Sequence, residues 1–136
     1  KIDVFERERF KDIFVVFLLS IIISSLLGSL WIPVRQMLLG QLDQGFVLMF
    51  LGAGLPEEII KIIPVLIVLK RTKFINEPID YVIYASTSAL GFAFFENINY
   101  IYTFNEVHSN IIAIRSLYPV LMHIATSSAI GLGLFF

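Results

Sequence analysis

Five ionisable side chains, Glu57, Glu58, Lys61, Glu96 and His123, interrupt stretches that are otherwise apolar and long enough to cross a bilayer. A charge at the bilayer centre costs at least ~2.5–3.5 kcal/mol on insertion scales, so such groups face a bundle interior or a wet cavity and mark chemistry or transport. The composition agrees with a membrane setting: 57% of the 136 residues are apolar and 15% are charged, against roughly 45–50% and ~25% in soluble domains. Much of that apolar surface is therefore expected to face lipid. The net charge of −1 gives no basic face for nucleic acid. With no cysteine, thiol catalysis, disulfides and thiolate metal sites are excluded. Imidazole chemistry is limited to His108 and His123.

The pattern predicts an all-α, polytopic helix bundle forming a single transmembrane domain over residues 1–136. Residues 1–12 mix charges of both signs with Ile2, Val4, Phe5 and Phe10, which reads as an interfacial helix on the membrane surface. Four spans are expected, at about 13–34, 46–69, 78–104 and 111–136, each near or above the ~20 residues needed to cross the hydrocarbon. The first is too long for a signal peptide and lacks a cleavage pattern. Trp31 fits an interfacial anchor near its end. Residue 1 is Lys and the sequence stops in Leu134-Phe135-Phe136, so a fragment of a longer protein is expected.

The second span contains Gly52, Gly54, Pro56 and Pro64. Proline lacks a backbone donor and clashes with the carbonyl four residues earlier, which predicts a break near Pro56. Glu57 and Glu58 follow at once, where a helix start favours carboxylates. Lysine and arginine cluster before the first span (Lys1, Arg7, Arg9, Lys11) and after the second (Lys70, Arg71, Lys73). The positive-inside rule then places the N-terminus in the cytoplasm.

With that topology Glu57, Glu96 and His123 fall at a shared depth, roughly 12–18 Å from the outer boundary at ~1.5 Å per residue. A shared depth on three helices suggests that they meet. Lys61 lies four residues after Glu57 and three after Glu58, so it can neutralise either. Adjacent Glu57 and Glu58 point about 100° apart, so one of them is expected to face the centre while Glu58 with Lys61 holds helices together. Ala85, Ala89 and Ala93 form a small-residue stripe beside Phe92, Glu96 and Tyr100. His123, Ser127 and Gly131 follow the same spacing in the last span, and both faces read as packing faces. Arg115 is expected to snorkel, and His108 to be solvated.

Two carboxylates and an imidazole at one point suit two chemistries. In one, a glutamate is general base on a water and the histidine polarises a carbonyl. In the other, Glu57 (or Glu58), Glu96 and His123 hold a divalent metal such as zinc that activates the water. No HExxH spacing signals the metal.

Glu57-Glu58-Ile59-Ile60-Lys61 matches an EExxK motif, Gly91-Phe92-Ala93-Phe94-Phe95-Glu96-Asn97 matches GFAxxEN, and His123 with Ser127 and Gly131 matches a third motif. In this order, on successive apolar helices, residues 46–136 resemble the PrsW family of intramembrane proteases, related to the CAAX prenyl proteases and bacteriocin-immunity-type membrane proteins. The resemblance implies hydrolysis of a membrane-anchored protein, as in the first cleavage of an anti-sigma factor, in a prokaryotic cytoplasmic membrane. It also implies Glu57 as base, Glu58 paired with Lys61, and a metalloprotease or metal-free glutamate mechanism. Glu96 stands where the CAAX enzymes have histidine. Ser127 stands where they place an oxyanion-holding asparagine, and Asn97 is a further support candidate. The candidate catalytic set is thus Glu57, Glu58, Lys61, Glu96 and His123.

The rival functions are a proton- or ion-coupled transporter using the carboxylates as a relay, and a catalytically silent binding or scaffold protein. A relay needs acidic groups along both halves of a path, whereas these cluster at one depth.

Overall fold

Serines buried and leucines exposed set the character of the first helix. In the computed structural model, which describes residues 9–39, 45–72, 75–103 and 109–136, helix α1 runs Phe10–Leu39. Val16, Ser20 and Ser24, spaced i,i+4, are fully buried, while Leu18, Ile22, Leu26 and Leu30 form an exposed row on another face. A water-soluble helix would turn the other way. An apolar exterior with small and hydroxyl side chains at the helix contacts fits a lipid-facing bundle. The α1 span begins in Phe10–Asp12, which were expected to belong to the interfacial segment; residues 1–8 lie outside the described residues.

A short helix α2 (Phe46–Met49) leads into a π-helical turn (Phe50–Gly54), followed by α3 (Leu55–Arg71). The expected break at Pro56 is therefore realised as a widened turn inside a continuous helix. In an α-helix the Gly52 carbonyl would be served by the N–H of residue 56, which proline lacks. The Trp31 indole donates to that carbonyl instead, Nε1 to O at 2.8 Å. Trp31, expected as an interfacial anchor, is also a tertiary donor to the π-turn. α4 (Pro78–Thr103) starts with proline in its first turn, and Asp80 accepts from the Asn76 and Glu77 N–H groups at 3.0 and 2.8 Å, satisfying donors that a helix start leaves orphaned. α5 spans Ser109–Phe135. The described residues contain no strand.

α4 is the central post, packed against α5, α1 and α3. Glycine makes two of these contacts close. A Cβ on Gly91 would lie 2.6 Å from the Phe17 carbonyl oxygen of α1, and one on Gly131 would lie 2.6 Å from both Ala85 Cβ and the Tyr81 carbonyl oxygen of α4. The stripe of Ala85, Ala89 and Ala93 is buried, as a small-residue packing face should be. Two helical stretches, Phe10–Met37 and Ile111–Phe135, are long and apolar enough by length and composition to cross a membrane. His108 and the side chain of Arg115 lie outside the described residues.

Candidate active site

The first turns of α3 place Glu57, Glu58 and Lys61 on adjoining faces, and Pro56 fixes where those turns begin. Lys61 is almost completely buried, 1% exposed. Its Nζ lies 2.7 Å from Glu58 Oε1 and 2.7 Å from His123 Nδ1 on α5. It also sits 4.6 Å from the centre of the Phe92 ring. An ammonium has three hydrogens; a carboxylate, an imidazole nitrogen and a π-face take them all, and the ring contact is a cation–π interaction. Phe92 meets the His123 ring edge-on, centroids 5.2 Å apart, and so fixes its plane.

These contacts set the histidine tautomer. An ammonium can only donate, so Nδ1 of His123 accepts and Nε2 carries the hydrogen. Nε2 donates to Glu96 Oε2 at 3.2 Å. At the other end, Glu58 accepts Ser127 Oγ–H on Oε2 at 2.9 Å, and Thr126 Oγ1 lies 3.0 Å from Oε1. An ion pair withdrawn from water is tolerated when further hydrogen bonds satisfy its remaining lone pairs, and Glu58 has them. The result is one line from Ser127 through Glu58, Lys61 and His123 to Glu96. The Lys61 backbone carbonyl accepts Ser88 Oγ–H at 2.5 Å, and the Ser88 carbonyl accepts Ser20 Oγ–H at 2.6 Å, so α1, α4 and α3 are pinned together beneath it.

Glu57 is not in that line. It borders a cavity of about 210 Å³ whose wall includes Ser24, Trp31, Arg35, Glu96 and Asn99. At ~30 Å³ per water, the space takes several. Trp31, Pro56 and Ile60 also border an apolar groove of about 470 Å³ formed with Leu27, Leu30, Val34, Leu51, Leu55 and Ile59. A chamber of mixed lining that holds two carboxylates therefore adjoins an apolar trough between α1 and α3.

Of the residues expected to converge, Glu57 and Glu96 share the cavity, and Glu96 also belongs to the line through His123. His123 is not part of the cavity wall, and both its ring nitrogens are engaged. It therefore stands behind Glu96. Ser127 holds Glu58. Asn97 is half-buried and apart from the cavity wall, where Asn99 stands instead. Thr126, Ser88 and Ser24 escaped the sequence reading, which took Trp31 for an interfacial anchor and not for part of the site.

The donor set does not fit a catalytic metal as arranged. Such zinc sites use three protein ligands, and no three or more His, Cys, Asp or Glu among the described residues are grouped to hold an ion. Glu58 and His123 are both committed to Lys61, which supplies a cation where a metal would otherwise balance the carboxylates.

No match was found among curated proteins or solved structures. A family model, described as PrsW family intramembrane metalloprotease, matches residues 12–136, and it covers the half-buried carboxylates, the buried lysine and the histidine together. The chain belongs to the PrsW family of intramembrane proteases.

Proposed function

We propose that the cavity between α1, α3 and α4 hydrolyses a peptide bond of a membrane-anchored protein, with Glu57 as general base. The observation that carries this reading is the pair Glu57 and Glu96 in one chamber, roomy enough for several waters, adjoining an apolar groove. An apolar substrate segment would lie in the groove and reach the chamber past Pro56. By family resemblance the substrate class is that of an anti-sigma factor and the cut is the first in its degradation. All four long helical segments cross the membrane in this reading, with the N-terminus cytoplasmic in a prokaryotic cytoplasmic membrane.

The chemistry needs no group beyond those of the chain and one water. The Glu57 carboxylate takes a proton from the water, and the water oxygen adds to the scissile carbonyl carbon. As the C–N bond breaks, the proton passes from Glu57 to the departing amine. Glu96 accepts the second hydrogen of the water and so aims its lone pair. His123 Nε2–H holds Glu96 in place, Lys61 holds His123 in the required tautomer, and Glu58 holds Lys61. Although the family description names a metalloprotease, no step here runs through a metal.

Purified protein incubated in bicelles with single-span substrates tests the reading, with intact-mass analysis of the products. Two fragments summing to the substrate plus one water are expected. Intact substrate, together with carboxylate-dependent proton flux in vesicles, would replace the protease with a relay.

A further inference from the structure

Serines and threonines inside these helices usually satisfy themselves. Ser25, Ser29, Ser86, Thr87 and Thr103 each donate to a carbonyl three or four residues back. Ser24 does not. It is 1% exposed, and its Oγ finds no hydrogen-bond partner among the described residues. It forms part of the wall of the chamber that holds Glu57 and Glu96. A buried hydroxyl left unpaired in a native fold calls for an explanation, and a catalytic role is one of the few. The Oγ is closed off from the chamber at rest, so a substrate oxygen reaches it only once the side chain turns about χ1 toward the chamber.

The chamber is short of what hydrolysis requires. Addition of hydroxide to a peptide carbonyl puts negative charge on its oxygen, beside two carboxylates that can only repel it when ionised. A donor aimed at that oxygen is then the largest single aid to the reaction. Most donors in the wall are spent or peripheral. The Trp31 indole serves the Gly52 carbonyl and Ser29 serves the Ser25 carbonyl; Arg35 and Asn99 are exposed. His123 Nε2–H serves Glu96 from behind. Ser24 is buried and uncommitted.

We propose that the Ser24 hydroxyl is a catalytic hydrogen-bond donor that holds the carbonyl oxygen of the scissile peptide as it becomes an oxyanion. The assignment rests on the protease reading. It gives α1 a direct part in a reaction whose other groups come from α3, α4 and α5. When the tetrahedral carbon collapses and the C–N bond breaks, the oxygen returns to a carbonyl and the Ser24 hydrogen bond weakens, which favours release.

Steady-state cleavage by wild type, Ser24→Ala and Ser24→Thr, with thermal unfolding of each, tests this. Ser24→Ala should lower kcat by on the order of 10²-fold, the lower range for loss of one oxyanion donor, with KM and Tm unchanged. Ser24→Thr keeps the hydroxyl and should restore most of kcat. Wild-type turnover by Ser24→Ala would overturn the assignment. So would a parallel fall in kcat and Tm, which marks a packing role. A wild type that cleaves nothing removes the protease reading and this assignment with it; an active wild type with an equally active Ser24→Ala removes the assignment alone.

Discussion

Lys61 Nζ lies 2.7 Å from His123 Nδ1, joining α3 to α5 across 62 positions of sequence. The contact decides which nitrogen of His123 carries the hydrogen, and hence what Glu96 receives. In the wild-type protein, labelled with ¹⁵N-histidine, Nδ1 of His123 should resonate as an unprotonated nitrogen and Nε2 as a protonated one.

Lys61→Met should break both ends of this arrangement. Glu58 would keep its hydroxyl donors and lose its cation. The expected cost is about 3 kcal/mol, the low end for breaking a buried pair, because Glu58 retains 20% exposure. Adding Glu58→Gln to Lys61→Met should recover part of the stability without restoring cleavage, since His123 would still lack its donor. Denaturant titration in mixed micelles measures the first effect and substrate turnover the second.

Gly131 and Gly133 sit two residues apart and should behave oppositely. A Cβ at 131 meets Ala85 and the Tyr81 carbonyl at 2.6 Å, whereas one at 133 meets nothing within 4 Å. Gly131→Ala should destabilise by about 1–3 kcal/mol through overpacking of the α4–α5 contact. Gly133→Ala should remain within about 0.5 kcal/mol of wild type. The same denaturant titration compares them.

The candidate site was legible in sequence because charge is incongruous in an apolar helix. Glu57, Glu58, Lys61, Glu96 and His123 announced themselves in that way, and Glu96 and His123, expected to meet, lie side by side. The pairing of Glu58 with Lys61 was expected and is present, but helical spacing alone left open which of the two glutamates faces the centre. Adjacent residues on a helix point about 100° apart, so which one meets α5 depends on the rotation of α3, which tertiary packing sets. Lys61 could be paired with a carboxylate by local spacing, but its bond to His123 is tertiary. Ser24 gave no signal, because a helical serine ordinarily turns back to its own backbone. The proline was read as a break, and the chain absorbed it as a π-turn with Trp31 as the missing donor.

That substitution of one donor for another predicts non-additivity. Trp31→Phe leaves the Gly52 carbonyl without the indole donor and should cost about 1 kcal/mol. Pro56→Ala restores a backbone N–H to the turn. In the Pro56→Ala background the Trp31→Phe penalty should shrink to a few tenths of a kcal/mol, and a double-mutant cycle on unfolding free energies reads the coupling. Equal penalties in both backgrounds would show that the indole and the proline act independently.

Metal removal should leave cleavage intact. His123 offers no spare nitrogen and the described carboxylates and histidines form no three-ligand group. Protein dialysed against a strong chelator should retain its turnover, and elemental analysis of the active sample should find no stoichiometric zinc. Activity lost on chelation and restored by zinc would mean that Lys61 leaves His123 in the working enzyme.

Glu57 tests the central claim most directly, because it borders the cavity without belonging to the line that braces the helices. Cleavage of a single-span substrate in bicelles should fall by about 10²–10⁴-fold in Glu57→Gln, the usual contribution of a general base, while KM and Tm stay near wild type. Cleavage by Glu57→Gln at the wild-type rate would contradict the account.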